Sequence, residues 1–245
     1  MNGIFQTLFY QPILNLLVFF YNTFGDLGIA IIFLTLFIKL LLFPLSKKSI
    51  KYQKSTQDLQ PKINELKEKY KDDKQAMSAA LMNLYKENKV NPFASCLPIL
   101  IQFPFLIAIF RVFKDGFAQN HLDLLYPFIN NPETINTISF GILNLSNKSI
   151  ILAILAGLAQ FWQTKMIMVK KPEVKAEVSK DEDMSAIMTK QMMYIMPVVT
   201  VIMGIGFPAG LTFYWLLTTL FTIAQQKLIL NSKREKKENI IKVIK

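Results

Sequence analysis

The residues that could do chemistry in this chain are few, and what is missing narrows the field first. A single cysteine, Cys96, excludes an internal disulfide framework and a cysteine metal cage, and a single histidine, His121, argues against a histidine metal site or proton relay. We read both as incidental. No nucleophile, base and orienting group fall into a recognisable set, and no glycine-rich loop could cradle phosphate. No enzyme activity, metal or cofactor is therefore expected. What remains is a cation in an apolar setting. Lys39 lies inside Ile29 to Leu45, IAIIFLTLFIKLLLFPL, with Thr35 one helical turn before it and Gly28 and Ile32 on the same face.

Polar residues recur at helical spacing elsewhere. Ala153, Ala156, Gly157, Gln160 and Thr164 form a small or polar stripe, and Trp215, Thr218, Thr222 and Gln225 form another. Gln102 lies between Pro98 and Pro104, whose rings leave backbone carbonyls in need of partners. Each stripe alone is also what close helix packing would produce. Lys39 is harder to dismiss, because the apolar runs contain no acid to pair with it. Snorkelling is the competing account: Lys39 would be about 9 Å from a helix end at Leu45, near the reach of its side chain. One cation with uncompensated polar stripes points to non-covalent chemistry in a hydrated, positively charged groove open to the cytoplasm.

The elements that would position these groups are long apolar segments. Of 245 residues 52% are hydrophobic, in several separate runs, which indicates an all-α polytopic membrane protein. The thirteen Leu, Ile and Phe residues of Ile29 to Leu45 favour insertion by about 5 kcal/mol. The lysine costs about 3 kcal/mol, so the segment still inserts. Five transmembrane helices are expected, at 27–45, 94–114, 149–168, 190–204 and 208–230, the last two separated by a turn at GIGFPAG.

Basic residues set the orientation. There are 11 in 46–93, one in 115–148, five in 169–190 and six in 231–245, within a net charge of +11. By the positive-inside rule the N-terminus and 115–148 are outside, and the other connections and the C-terminus are cytoplasmic. Arg111 and Lys114 are discordant. Residues 1–26 show no secretory signal pattern or early lipidation cysteine and read as an outer amphipathic segment or an extension of the first span.

Within 46–93, Tyr52, Leu59, Ile63, Leu66 and Tyr70 mark one helical face, supported by Asp58–Lys62 and Glu65–Lys69 pairs. Asp72 or Asp73 can cap a second helix with Met77, Ala80, Leu81, Leu84 and Tyr85 on its apolar face. The result is a cytoplasmic antiparallel helical hairpin, or two helices resting on lipid headgroups. The mixed-charge linker 169–189 should be poorly ordered, and the basic tail 231–245 should contact anionic lipid or, alternatively, ribosomal RNA. Methionines 184, 188, 192, 193, 196 and 203 cluster around the fourth span as core filler or as a pliable apolar surface.

The ordered motifs GIAIIFLTLFIKLLLFPL, LQPKINELKEKYKDDKQ, LYKENKVNPFASCLPILIQFPF, and MP followed by FPAGLTFYW resemble the YidC/Oxa family of membrane protein insertases, from about Pro12 to Leu230. The resemblance implies a five-helix core with a cytoplasmic hairpin in the bacterial plasma (inner) membrane. It places Lys39 at the position of the family's groove arginine, Gln160 and Trp215 in or beside that groove, and Thr35 and Tyr214 as neighbours; Gln102 and Thr218 complete the candidate set. Lysine keeps the charge but loses the planar fork of arginine. The large extracytoplasmic domain of Gram-negative members and the lipidated signal of many Gram-positive ones are missing here, so the sequence reads as a minimal member or a chain trimmed to the core. The implied activity is insertion and chaperoning of nascent membrane proteins without nucleotide hydrolysis. Its partners are nascent chains and the bilayer, with the general secretion channel and the ribosome as candidates, and no DNA. The alternatives are a small anion-binding transporter or channel, and a scaffold for assembly.

Overall fold

The computed structural model describes residues 3–91, 97–115, 123–167 and 184–244. Cys96, His121 and most of the 169–189 linker lie outside these, as do the side chains of Pro98, Met184, Met188 and Met192. A short π-helical turn, Gln6–Tyr10, leads into α1 (Gln11–Phe24), followed by α2 (Leu27–Leu41), α3 (Phe43–Asp58), α4 (Gln60–Lys69), α5 (Lys74–Glu87) and α6 (Leu97–Asp115). After a two-stranded hairpin, β1 (Ile138–Ser139) and β2 (Leu143–Asn144), come α7 (Ile150–Ile167), α8 (Met184–Gly206) and α9 (Ala209–Ile244).

The breaks follow local chemistry. Gly25 ends α1 in the left-handed region, φ 71°, and closes on Tyr21 O at 2.7 Å. Asp26 then caps α2, its carboxylate accepting from the N–H of Gly28 (2.8 Å) and Ile29 (3.0 Å). The chain thereby folds back, and Phe24 of α1 stacks on Phe33 of α2 at 4.4 Å between ring centres. Residues 11–24 are thus a separate helix and not an extension of α2.

α2 is shorter than the 27–45 span read from hydropathy. Pro44 opens α3, and its ring and missing N–H prevent α2 from continuing, so the chain bends by 68° between α2 and α3. Lys39 accordingly lies in the last turn of α2 and not several residues inside it. Pro61 has the same effect on the amphipathic segment expected as one helix, which splits into α3 and α4 at Leu59. Asp58 and Lys62 thus fall on different helices, and Asp58 pairs with Lys54 at 3.0 Å instead. Asp73 caps α5, accepting from the N–H of Gln75 and Ala76. Helix α8 starts at Met184, six residues before the expected 190, because MSAIMTKQ contains good helix formers and neither Gly nor Pro. Only Phe207 and Pro208 separate α8 from α9, and α9 runs unbroken for 36 residues, about 54 Å, into the basic tail.

The core lies between α1, α2, α6 and α9, built from Leu14, Leu17, Ile31, Leu34, Ile109 and Tyr214 among others. α7 packs on α9 and, closely, on α8. There the small residues serve packing: a Cβ on Gly204 would meet Ala153 Cβ at 2.9 Å, and Gly157 abuts Val201. Exposed Phe37, Leu40, Leu158, Trp162, Val198 and Ile202 form an apolar outer surface. Among the described residues no single helix is long and apolar enough to cross a membrane; α2 and α3 qualify only as a bent pair, and 150–166 and 193–206 are shorter apolar helices.

One end of the bundle is closed by residues 123–148. The side chain of Asn15, 2% exposed, donates to Leu124 O (3.1 Å) and Gln11 O (2.7 Å) and accepts from Tyr126 N–H (2.6 Å). Asp26 accepts from Phe140 N–H (2.8 Å), and Gly28 N–H also reaches Ser139 Oγ (2.6 Å). Gly28 is needed because a Cβ would lie 2.6 Å from the Phe140 ring. At the start of α9, Ala209 and Gly210 donate to Asn147 O and Leu145 O. α2 and α9 therefore begin on the same loop and run parallel.

Candidate functional site

The parallel register of α2 and α9 decides what faces Lys39. Phe140 bridges the two helices near their starts, against Gly28 on one side and Phe213 on the other. Eleven residues on from Gly28 and nine on from Phe213, Lys39 meets Thr222, its Nζ donating to Thr222 Oγ1 at 2.9 Å. That hydroxyl in turn donates to the Thr218 carbonyl at 2.8 Å. The lysine is 8% exposed. Its charge is held by a neutral hydroxyl, and no acidic side chain pairs with it among the described residues.

A second polar contact lies nearer the 123–148 end. Gln102 of α6 donates through Nε2 to the hydroxyl of the fully buried Tyr214 of α9. Its partner is thus a side chain and not a carbonyl freed by Pro104. Thr35 is buried, and its hydroxyl donates to Ile31 O of its own helix at 2.6 Å. Gln160 is half-buried on α7, and its carbonyl accepts from Thr164. Trp215 is half-buried on α9, with its carbonyl accepting from Thr219. Thr218 is buried, with its hydroxyl beside that of Tyr214.

The structure therefore joins Lys39 to Thr222, and Gln102 to Tyr214, at two levels of α9 about two turns apart. It does not join Gln160 or Trp215 to either pair by a hydrogen bond among the described residues. Thr222 belonged to the recognised stripe but not to the candidate set; its spacing of seven from Trp215 and four from Thr218 was the signal. Gln226, 1% exposed, was missed altogether, because in sequence it is indistinguishable from its neighbour Gln225. Arg111, discordant by the charge rule, lies over the Phe5 ring at 5.0 Å.

No group in this arrangement is poised for covalent chemistry. A buried ammonium, a hydroxyl relay and amide and phenol groups on the inner faces of three helices can bind and desolvate a polar segment while the outside of the bundle stays apolar.

Several known proteins are similar to this chain. Residues 19–237 match the family model described as 60Kd inner membrane protein. The chain is 38% identical over 221 residues to the membrane protein insertase YidC of Geotalea daltonii, covering 89% of this chain and 36% of that protein. It is 36% identical over 218 residues to the YidC of Shewanella halifaxensis, with the same two coverages of 89% and 36%. The chain thus spans about a third of the length of these curated relatives. A crystal structure of an active YidC insertase with its first transmembrane domain resolved shares the fold, at TM-score 0.59 and 23% identity, over 91% of this chain and 46% of that one. With the match running through nearly the whole bundle, from within α1 to within the basic end of α9, the chain belongs to the YidC/Oxa family of membrane protein insertases.

Proposed function

We propose that this chain is a membrane protein insertase and chaperone that passes nascent hydrophobic segments into the lipid bilayer through a hydrated, positively charged groove facing the cytoplasm. The observation that carries it is Lys39: a buried cation held, among the described residues, by the neutral hydroxyl of Thr222, on the inner face of a bundle whose outer face is apolar. A charge so placed needs water or a polar ligand, and hydrophobic partition of the client supplies the driving free energy without nucleotide.

In this reading α2, α6, α7, α8 and the first part of α9 are the five spans of a multi-pass inner-membrane protein. The 123–148 loop and N-terminus are outside, and the α4–α5 hairpin and basic tail are cytoplasmic. Charge alternation along the chain supports the orientation, and the Phe5 ring under Arg111 softens its discordance. The hairpin receives the nascent segment. Polar or acidic residues near the client's N-terminus enter beside Lys39, with Thr35, Gln102, Gln160, Tyr214, Trp215 and Thr218 lining the path, and the apolar part slides out along the exposed helix faces. Nascent chains are the partners this requires; the general secretion channel and the ribosome are partners it accommodates.

The test is reconstitution. Liposomes holding the purified protein should integrate a small single-span client without ATP, whereas an anion transporter or channel would instead show solute flux. Lys39→Arg should retain activity, and Lys39→Glu should impair clients with acidic N-terminal regions most. Equal loss for neutral clients would refute the role of the charge, and full activity of Lys39→Ala would refute the groove.

A further inference from the structure

The β1–β2 hairpin that closes one end of the bundle has an apolar tip. Ile142 N–H donates to Ser139 O at 3.2 Å across a two-residue turn, and both central residues are left-handed, Phe140 at φ 54° and Gly141 at φ 72°. Asn and Gly are the usual residues of such a turn. Phe140 has a packing reason, because its ring contacts both Gly28 and Phe213. Ile142 has no such reason: it is 89% exposed, and Ile138 on the same hairpin is half exposed. The residues around them, 134–147 or TINTISFGILNLSN, carry no charge. A single exposed isoleucine means little, but an uncharged hairpin that turns apolar side chains outward marks a contact surface.

Helix length says what covers it. The 15 residues of α2 rise about 22 Å, whereas the hydrocarbon core of a bilayer is about 30 Å thick, and α3 bends away by 68°. Lys39, in the last turn of α2, needs water at the cytoplasmic end, so the missing length lies at the other end, beyond Leu27. The hairpin occupies that place: Ser139 Oγ accepts from Gly28 N–H, and Phe140 N–H donates to the Asp26 carboxylate. α7 brings the apolar surface of the bundle up to the same loop, with Ile150 and Ile151 exposed at its start.

We infer that the 138–142 tip is an interfacial anchor, with Ile142 and the exposed parts of Ile138 and Phe140 seated at the headgroup and acyl-chain boundary of the outer leaflet. The inference rests on the membrane orientation proposed above and adds to it a lipid-binding element. Backbone donors of the tip are met within the protein: Ile138 N–H by Asn136 Oδ1, Phe140 N–H by Asp26 and Ile142 N–H by Ser139 O, so seating them in lipid strands none of the three. Asp26 beneath the tip accepts from Gly28, Ile29 and Phe140 N–H, an arrangement that suits the boundary and not the bilayer centre. Because the same loop holds the starts of α2 and α9, the anchor also fixes the height of the groove, with Lys39 about 16 Å along α2 from Gly28.

The test is spin-label depth measurement on the full chain in vesicles of phosphatidylcholine and phosphatidylglycerol. Cys96→Ser removes the native thiol, and a nitroxide is attached through Ile142→Cys, with Glu133→Cys on the same loop and Leu158→Cys on the exposed face of α7 as references. Power saturation reads collisions with oxygen, which concentrates in lipid, and with a nickel chelate, which stays in water. The oxygen-to-nickel ratio at Ile142 should exceed that at Glu133 by at least about threefold and stay below that at Leu158. With the label moved to Ile138→Cys, adding Ile142→Asp should lower the ratio and adding Ile142→Leu should leave it unchanged. A ratio at Ile142 equal to that at Glu133, low collision with both reagents as for a tip seated on a second copy of the chain, or no effect of Ile142→Asp would overturn the inference while Leu158 in lipid leaves the insertase reading intact. Leu158 as open to the nickel chelate as Glu133 would overturn both.

Discussion

Replacing Thr222 by valine tests the Lys39 contact, because valine keeps the shape and β-branching of threonine with a methyl in place of the hydroxyl, and the loss of its bond to the Thr218 carbonyl is common to both backgrounds compared below. In the native arrangement that oxygen accepts from the Lys39 ammonium at 2.9 Å, with the lysine 8% exposed. A hydrogen bond to a charged group is worth about 1.5–3 kcal/mol, and the buried partner it leaves here is a cation. Thr222→Val should therefore destabilise the fold by about 1.5–3 kcal/mol, roughly ten- to a hundredfold in the unfolding equilibrium. In a Lys39→Met background no charge remains to be stranded, and the same substitution should cost less than about 1 kcal/mol. The assay is a double-mutant cycle, with each of the four proteins unfolded reversibly in mixed micelles and followed by far-UV circular dichroism. The coupling between the two positions, the difference between these costs, should be at least about 0.5 kcal/mol and up to about 3 kcal/mol. If Thr222→Val costs the same with and without the lysine charge, Thr222 does not hold the ammonium and the site geometry argued above is wrong.

Further outcomes test the supporting frame. Burial of Asp26 opposes its ionisation, but hydrogen bonds from Phe140 N–H, Ile29 N–H, the Ser139 hydroxyl and Gly28 N–H outweigh this and hold its carboxyl below the usual value. A carboxylate depressed in the folded state stabilises above its unfolded pKa, near 4, and the gain is lost as pH falls through the lower folded value. The stability advantage of the unaltered protein over Asp26→Asn should therefore be full at neutral pH and vanish in acid titration below that value. Asp26→Ala, which removes the α2 cap and the Phe140 contact together, should cost at least about 1 kcal/mol by thermal unfolding. Gly210→Ala places a methyl group inside the Phe113 ring, so the usual helix gain is replaced by an overpacking loss of about 1–3 kcal/mol, read as a lowered Tm. Excision of Gln60 to Glu87, which removes α4 and α5 but keeps the buried Ser49 and Ile50 of α3, should leave the bundle inserted by protease protection and abolish complementation. Retained complementation would show the hairpin to be dispensable.

Hydropathy, charge and helical spacing carried much of this protein. The helical class, the apolar runs, the turn within residues 204–210 and the cap at Asp73 are local features, set by side-chain chemistry within a few residues, and so legible one segment at a time. The isolation of Lys39 from any acid within the apolar runs was legible for the same reason. Helix bends were less so, because a hydropathy run continues through Pro44 and an amphipathic pattern through Pro61, although each ring stops the helix it meets. That is why Lys39 looked like a residue well inside a span and lies instead in a last turn.

Which polar groups meet was decided by tertiary structure alone. Thr35 and Lys39 share a face in sequence, yet the Thr35 hydroxyl turns to its own backbone while Lys39 finds Thr222, 183 residues away. That pairing depends on α2 and α9 starting on the same loop and running parallel, a register set by Asp26, Gly28, Phe140 and the backbone contacts at Ala209 and Gly210. The Gln102–Tyr214 contact likewise follows from how helices cross. Spacing along a chain fixes which residues share a face; the neighbour that face meets is chosen by long-range packing, which no single segment encodes.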